Sequence, residues 1–104
     1  MSLDLWMEKD KEEISESFNY TYNVSQMWKE ATNDEKMIPI EGLTGAEAKP
    51  LLLSGLEKLQ ENPEKFRAMN PDNKWGDYDR FILWIEQLIK ECDSYPDAIW
   101  VAGR

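Results

Sequence analysis

Near its start the chain reads Leu3-Asp4-Leu5-Trp6-Met7-Glu8, and this stretch decides the fold class. Apolar residues at every second position alternate with Asp4, Trp6 and Glu8, which predicts a β-strand whose second face carries one aromatic ring. Lys9-Asp10-Lys11 fits a turn, and residues 14–22 fit a second, partly polar strand. These residues therefore predict an N-terminal hairpin.

A helix over the same residues is the alternative interpretation. Its apolar side would consist of Leu3, Met7, Ile14 and Phe18, but Asp10 and Lys11 interrupt that stripe. The other chain end favours strands. Ala98-Ile99-Trp100-Val101 has the β-branched and aromatic composition of a strand and follows the breaker Tyr95-Pro96-Asp97. Such a strand needs a neighbour for its backbone groups, and the hairpin supplies one.

Between the two ends the apolar spacing is helical. Asn23 followed by Gln26 resembles a capping box, and Thr44 followed by Glu47 is a better one. Asn62-Pro63 opens a short third helix with proline at its favoured first position. Residues 32–42 form a loop. Gly55 lies beside the apolar stripe of the second helix, where we expect another backbone to come close.

The longest predicted helix covers about residues 78–93, with Asp77 as its N-cap. Its apolar face consists of Tyr78, Phe81, Ile82, Ile85, Leu88, Ile89 and Cys92. Leu83 falls inside the polar face and Trp84 lies on its edge. Single exposed apolar side chains are common on protein surfaces, so we prefer to interpret Leu83 as one of these. The alternative is that this edge contacts another chain or a second copy, because aromatic residues are enriched at interfaces.

We therefore expect one domain, residues 1–104, of the α+β class. About four helices pack on a small antiparallel sheet, which the N-terminal hairpin and the C-terminal strand form together.

The composition excludes several chemistries. With no histidine and one cysteine, the chain has no Ser-His-Asp or Cys-His centre and no zinc site of histidines or clustered thiolates. Cys92 lies on the inward helical face, where thiols are usually inert. The five glycines are scattered, so no phosphate-binding loop is present. We expect no enzymatic activity, no metal and no cofactor.

The net charge of −9 is concentrated at the two ends of the chain. Residues 1–18 contain six acids and two lysines, and residues 77–97 contain six acids and two basic residues. This balance disfavours nucleic-acid binding, which needs clustered lysine and arginine. The acids keep a small protein soluble, or alternatively they suit an inhibitor that mimics nucleic acid. Without a signal-peptide pattern or an apolar run of about 20 residues, we expect a cytoplasmic protein with no membrane contact.

Two clusters of asparagine and aromatic residues, 19–23 and 70–78, lie where the chain enters helices. We prefer to interpret them as helix caps and structural corners, since asparagine side chains bond neighbouring backbone groups. The alternative is a small-ligand pocket with aromatic walls and polar orienting groups. Its residues would be Asn19, Tyr20, Tyr22, Asn73, Trp75, Asp77 and Tyr78.

Three segments resemble a group of small uncharacterised bacterial proteins that often occur in phage or prophage regions. The segments are Asn19-Tyr20-Thr21-Tyr22-Asn23-Val24-Ser25 with Met27, Thr44-Gly45-Ala46, and Asn70-Pro71 through Trp75-Gly76-Asp77-Tyr78. The resemblance spans most of residues 19–101 and implies an accessory protein of a mobile element with no assigned reaction. The leading expectation is therefore a non-enzymatic protein-interaction module with a protein partner or self-association.

Overall fold

A central strand with partners on both edges organises the fold. The computed structural model describes residues 2–14, 18–21, 24–34, 38–70 and 77–103. Strand β1 (Ser2–Lys9) pairs with β2 (Glu12–Glu13) and β3 (Phe18–Thr21) along one edge and with β4 (Ile99–Gly103) along the other, all antiparallel. Met7 lies opposite Trp100 in this sheet. The predicted sheet from both chain ends is confirmed, and the helical alternative for the first residues is wrong.

The second arm of the hairpin is divided, which differs from the single strand predicted over residues 14–22. Glu13 lies opposite Glu8, whereas Phe18 lies opposite Leu5. A constant register would place Phe18 opposite Leu3, so the pairing advances by two residues between β2 and β3. Two extra residues therefore lie between β2 and β3. Inserting two residues leaves the same side chains facing the core, so the alternation of polar and apolar residues alone does not reveal the insertion.

In the described part of the chain, four helices lie between β3 and β4: α1 (Ser25–Thr32), α2 (Gly45–Glu61), α3 (Pro63–Arg67) and α4 (Tyr78–Ser94). Thr44 and Glu47 form the predicted capping box, with N–H to oxygen distances of 3.1 and 3.0 Å. Asp77 caps α4 by accepting the Arg80 N–H at 2.8 Å. Asn23, the predicted cap of α1, lies outside the described residues. None of the described helices is long and apolar enough to cross a lipid bilayer.

The helices pack on the inner face of the sheet. Helices α2 and α4 run antiparallel: the start of α2 at Gly45 lies against the end of α4, and Tyr78 at the start of α4 bonds Leu59 near the end of α2. A Cβ at Gly45 would lie 2.5 Å from the Tyr95 carbonyl oxygen, so only glycine permits this approach. The buried core is Leu5, Met7, Val24, Met27, Trp28, Ile38, Ile40, Ala48, Leu52, Leu59, Phe66, Tyr78, Phe81, Trp84, Ile85, Leu88, Cys92, Ala98 and Trp100.

Two residues differ from the expectations based on helical spacing. Trp84 is 5% exposed rather than lying on a polar edge, because Tyr20 of β3 packs against it with ring centroids 5.3 Å apart. Gly55 admits the indole ring of Trp28, not another backbone. In both cases an element distant in sequence widens the buried face of a helix, which the spacing within that helix does not reveal.

Candidate functional site

Tyr20 joins the sheet to the start of α4. Its hydroxyl donates to the carbonyl oxygen of Asp77 at 3.2 Å and accepts the N–H of Asp77 at 3.3 Å. Its ring packs on Phe81 and Trp84, with centroids 5.8 and 5.3 Å away. Burial raises the pKa of the Tyr20 hydroxyl. These contacts make Tyr20 a structural anchor.

Tyr78 is a second anchor. Its hydroxyl donates to the carbonyl oxygen of Leu59 at 2.8 Å, and its backbone N–H donates to the Asn70 side-chain oxygen at 2.9 Å. The ring stacks on Phe66 with centroids 6.2 Å apart, and the Arg67 guanidinium lies 5.3 Å from the ring centroid. Burial raises the pKa of Tyr78. A ring this enclosed, 3% exposed, does not line an open pocket.

The structure separates Asn19 from the other predicted pocket residues. Asn19 and Tyr20 are consecutive in β3, so their side chains lie on opposite faces of the sheet. Asn19 is exposed and its amide donates to the Asp4 carboxylate. Tyr20, Asp77 and Tyr78 do come together, through the anchoring contacts described above. Tyr22, Asn73 and Trp75 lie outside the described residues, and a pocket formed by them stays a prediction.

We expect Tyr20→Phe to lower the free energy of unfolding by about 0.5–1.5 kcal/mol, because the Asp77 N–H loses its acceptor and the Asp77 carbonyl oxygen keeps only the Phe81 N–H. Since the pKa of Tyr20 is raised above 10.0, the stabilising effect is complete below that pH and is lost as pH rises through the folded-state pKa. Urea unfolding at neutral pH and at alkaline pH measures both effects. Tyr95→Phe is the control, since Tyr95 is exposed. Equal losses in the two variants would contradict the assignment.

The predicted interface pair of Leu83 and Trp84 is divided between surface and core. Leu83 is 60% exposed on the outer side of α4, whereas Trp84 is buried. The residues three and four positions from Leu83 are exposed and polar: Asp79, Arg80, Glu86 and Gln87. An interface at Leu83 stays a prediction, and it would depend on one apolar side chain within a polar surface.

A different surface combines exposed apolar and acidic side chains. We define the outer sheet face as the described residues that point away from the helices: Asp4, Trp6, Glu8, Glu13, Asn19, Ile99, Val101 and Gly103. Successive strand residues alternate between faces, and the intervening Leu5, Met7 and Trp100 are buried against the helices. Every residue of the outer sheet face is at least partly exposed to solvent.

Trp6 is held in a fixed position on this face. Its indole N–H donates to Glu8 Oε2 at 2.8 Å, and the residue lies directly opposite Val101 of β4. The ring extends over Gly103, where a Cβ would lie 2.9 Å from Cζ3 of the indole. Ile99, two residues from Val101 on the same strand, is 45% exposed. The three apolar side chains form one continuous patch.

The charged residues in the described part of the outer sheet face are all acidic. Asp4 and Glu8 flank Trp6 along β1, and Glu13 lies directly opposite Glu8. Like charges directly opposite one another destabilise a sheet. These residues carry no site motif in the sequence, although a tryptophan in the polar register of an alternating strand is a signal of an unusual sheet face.

Among the cavities lined by described residues, two lie along the groove between α1 and the second half of α2. One has a volume of about 350 Å³ and is partly closed by the Lys65–Glu30 ion pair at 2.7 Å. The other has a volume of about 200 Å³ and lies beside Trp28. Lys58 lines both. Their charged lining residues are Glu30, Asp34, Lys58, Glu61 and Lys65, a mixture that favours neither an anionic nor a cationic ligand.

The cysteine has a structural environment. Cys92 is buried, and its Sγ accepts the indole N–H of Trp100 at 3.4 Å. Burial raises the pKa of this thiol, which keeps it protonated and weakly nucleophilic. Within the described ranges, no three carboxylate or thiol side chains converge closely enough to hold a metal ion.

Comparison with protein-family models, with curated proteins and with solved structures gives no match for this chain. Inference about function therefore starts from the chain's own residues, and the resemblance to bacterial proteins of phage regions stays a prediction.

Proposed function

We propose that this protein is a non-enzymatic protein-interaction module that binds its partner through the outer sheet face. The supporting observation is that the partly exposed Trp6 and Val101 lie beside the exposed Ile99 on one face of the sheet. A sheet face in contact with water normally carries polar side chains, whereas tryptophan is enriched at the centres of protein interfaces. The patch also has polar and charged residues around it, as interfaces usually do.

The outer sheet face supports this function better than the Leu83 side of α4. Single exposed apolar side chains are common on protein surfaces and need no partner. The sheet patch instead joins residues from two paired strands, and the contacts of Trp6 with Glu8 and Gly103 fix its ring before a partner arrives. Such preorganisation lowers the entropic cost of binding. The absence of histidine and the burial of Cys92 favour a non-enzymatic role, which we place in the cytoplasm.

Matched surface variants test the location of the interface. We expect the full chain, purified gently from its own host, to appear in native mass spectra as a complex. Trp6 should then be protected from hydroxyl-radical oxidation. Ile99→Ser should raise the dissociation constant of the complex at least about fivefold, since truncating an important interface residue costs more than about 1 kcal/mol of binding free energy. Leu83→Ser should leave it unchanged.

Both substituted side chains are exposed, so circular dichroism and thermal unfolding should show that each variant retains its fold. A wild-type protein that is monomeric under all gentle conditions would overturn the proposal. A complex that survives Ile99→Ser but is lost in Leu83→Ser would also overturn it and would move the interface to α4.

A further inference from the structure

The charge of the outer sheet face restricts which partners it accepts. Asp4, Glu8 and Glu13 all lie on this face, and none forms an ion pair with a lysine or arginine of the described ranges. Elsewhere on the described surface, carboxylates do have such partners: Lys49 pairs with Asp93 at 2.5 Å and Arg67 with Asp79 at 2.9 Å. Asp4 accepts the Asn19 amide through Oδ1 and Glu8 accepts the Trp6 indole N–H through Oε2, so the second oxygen of each carboxylate remains for a cationic partner.

The indole ring adds an independent preference for cations. Tryptophan is the best aromatic acceptor of lysine and arginine side chains, through the negative charge on the face of its ring. Glu8 already accepts the Trp6 N–H through Oε2, which leaves Oε1 available to a second donor. A guanidinium stacked on Trp6 would therefore reach the carboxylates of Asp4 and Glu8, its neighbours two residues away on the same face.

We infer that the outer sheet face binds a basic polypeptide segment, with an arginine or lysine side chain stacked on Trp6. This inference rests on the proposed function and names its partner class. The apolar patch of Val101 and Ile99 receives the aliphatic part of the segment, as long basic side chains often cover apolar surface with their stems. Glu8 and Glu13 lie directly opposite one another and present two carboxylates to the same segment.

Charge also argues against other occupants of this face. A second copy bound face to face would bring the two sets of three carboxylates together, and like charges across an interface are costly. The phosphates of nucleic acids and of anionic membranes would meet the same repulsion. The net charge of −9 extends the attraction of a basic partner beyond the contact area.

A defined peptide tests the inference with the full chain. The probe is an unstructured peptide of about nine residues with three arginines among glycine and serine, and its control replaces each arginine by glutamine. Each peptide is titrated into ¹⁵N-labelled protein, and the NMR signal of the Trp6 indole N–H is followed. The signal is assigned by its absence from the spectrum of Trp6→Phe. We expect a saturable shift with the arginine peptide and none with the glutamine peptide.

Two double variants with equal net charge separate local from general attraction. Glu8→Gln with Glu13→Gln should raise the dissociation constant of the arginine peptide about 3- to 30-fold, because two exposed ion pairs are lost. The amide oxygen introduced at position 8 can still accept the Trp6 indole N–H. Glu57→Gln with Glu86→Gln changes exposed acids on α2 and α4 and should raise the same dissociation constant less than about twofold. Equal weakening by both pairs, equal binding of the glutamine peptide, or no saturable shift would overturn the inference.

The salt response of the host complex distinguishes failure of the inference from failure of the proposed function. Exposed charges are screened strongly between about 0.05 and 0.5 M salt, so a basic partner should dissociate substantially over that range. If the complex is weakened by Ile99→Ser but is unaffected by salt, the proposed function holds and the partner is not basic.

Discussion

We expect Trp100→Ala to lower the free energy of unfolding by about 3–5 kcal/mol, the range for removing a large aromatic side chain from a core. Trp100 is fully buried, lies opposite Met7 in the sheet and contacts the edge of Phe18 at 6.1 Å between centroids. Its indole N–H bonds Cys92 of α4. The side chain therefore links the sheet to α4. Small domains have only about 5–15 kcal/mol of stability, so this loss is a large fraction.

Urea unfolding followed by far-UV circular dichroism measures the effect. Ile99→Ala is the matched control on the adjacent residue, whose side chain points to solvent, and it should cost less than about 1 kcal/mol. If Trp100→Ala is unfolded without denaturant, Trp100→Phe supplies an intermediate loss that remains measurable. Similar losses at positions 99 and 100 would contradict the assignment of inner and outer faces, on which the outer sheet face depends.

The helices could be predicted from sequence because their signals are local. The capping box of Thr44 and Glu47 and the N-cap at Asp77 each involve side chains within three residues of the backbone groups that they satisfy. The alternation in residues 3–8 likewise requires only that one side of a strand is buried. These signals are sufficient for the α+β class and for the starts of α2 and α4.

Features that depend on distant contacts were not predictable in the same way. The burial of Trp84 requires Tyr20 to pack against α4, and the hydrogen bonds of Tyr20 to Asp77 join residues far apart in the chain. The outer sheet face also depends on contacts between residues that are distant in sequence. Trp6 marks one side of β1, but its contact with Val101 depends on the register between the two chain ends. The local pattern of either strand alone does not specify that register.

We expect Gly55→Ala to destabilise the protein by about 1–3 kcal/mol, although alanine is favoured over glycine in an exposed helix by about 1 kcal/mol. A Cβ on Gly55 would overlap the six-membered ring of Trp28. That indole is 1% exposed and its N–H has no hydrogen-bond partner among the described residues, so the ring is enclosed by packing alone. The ring must shift to admit the methyl group, and such a shift disturbs its packing in the core. Urea unfolding of the variant beside Ser54→Ala, an exposed neighbour on α2, measures the effect.

A double-mutant cycle identifies the cause. Trp28→Phe shortens the ring system, and in that background Gly55→Ala should be neutral or stabilising by up to about 1 kcal/mol, because only the helix preference remains. The coupling between the two substitutions should therefore be about 1–3 kcal/mol in favour of the double variant. Additive losses would show that Trp28 does not occupy the space above Gly55. A gain from Gly55→Ala alone would show that α1 is not packed on α2 as closely as the contact between these two residues requires.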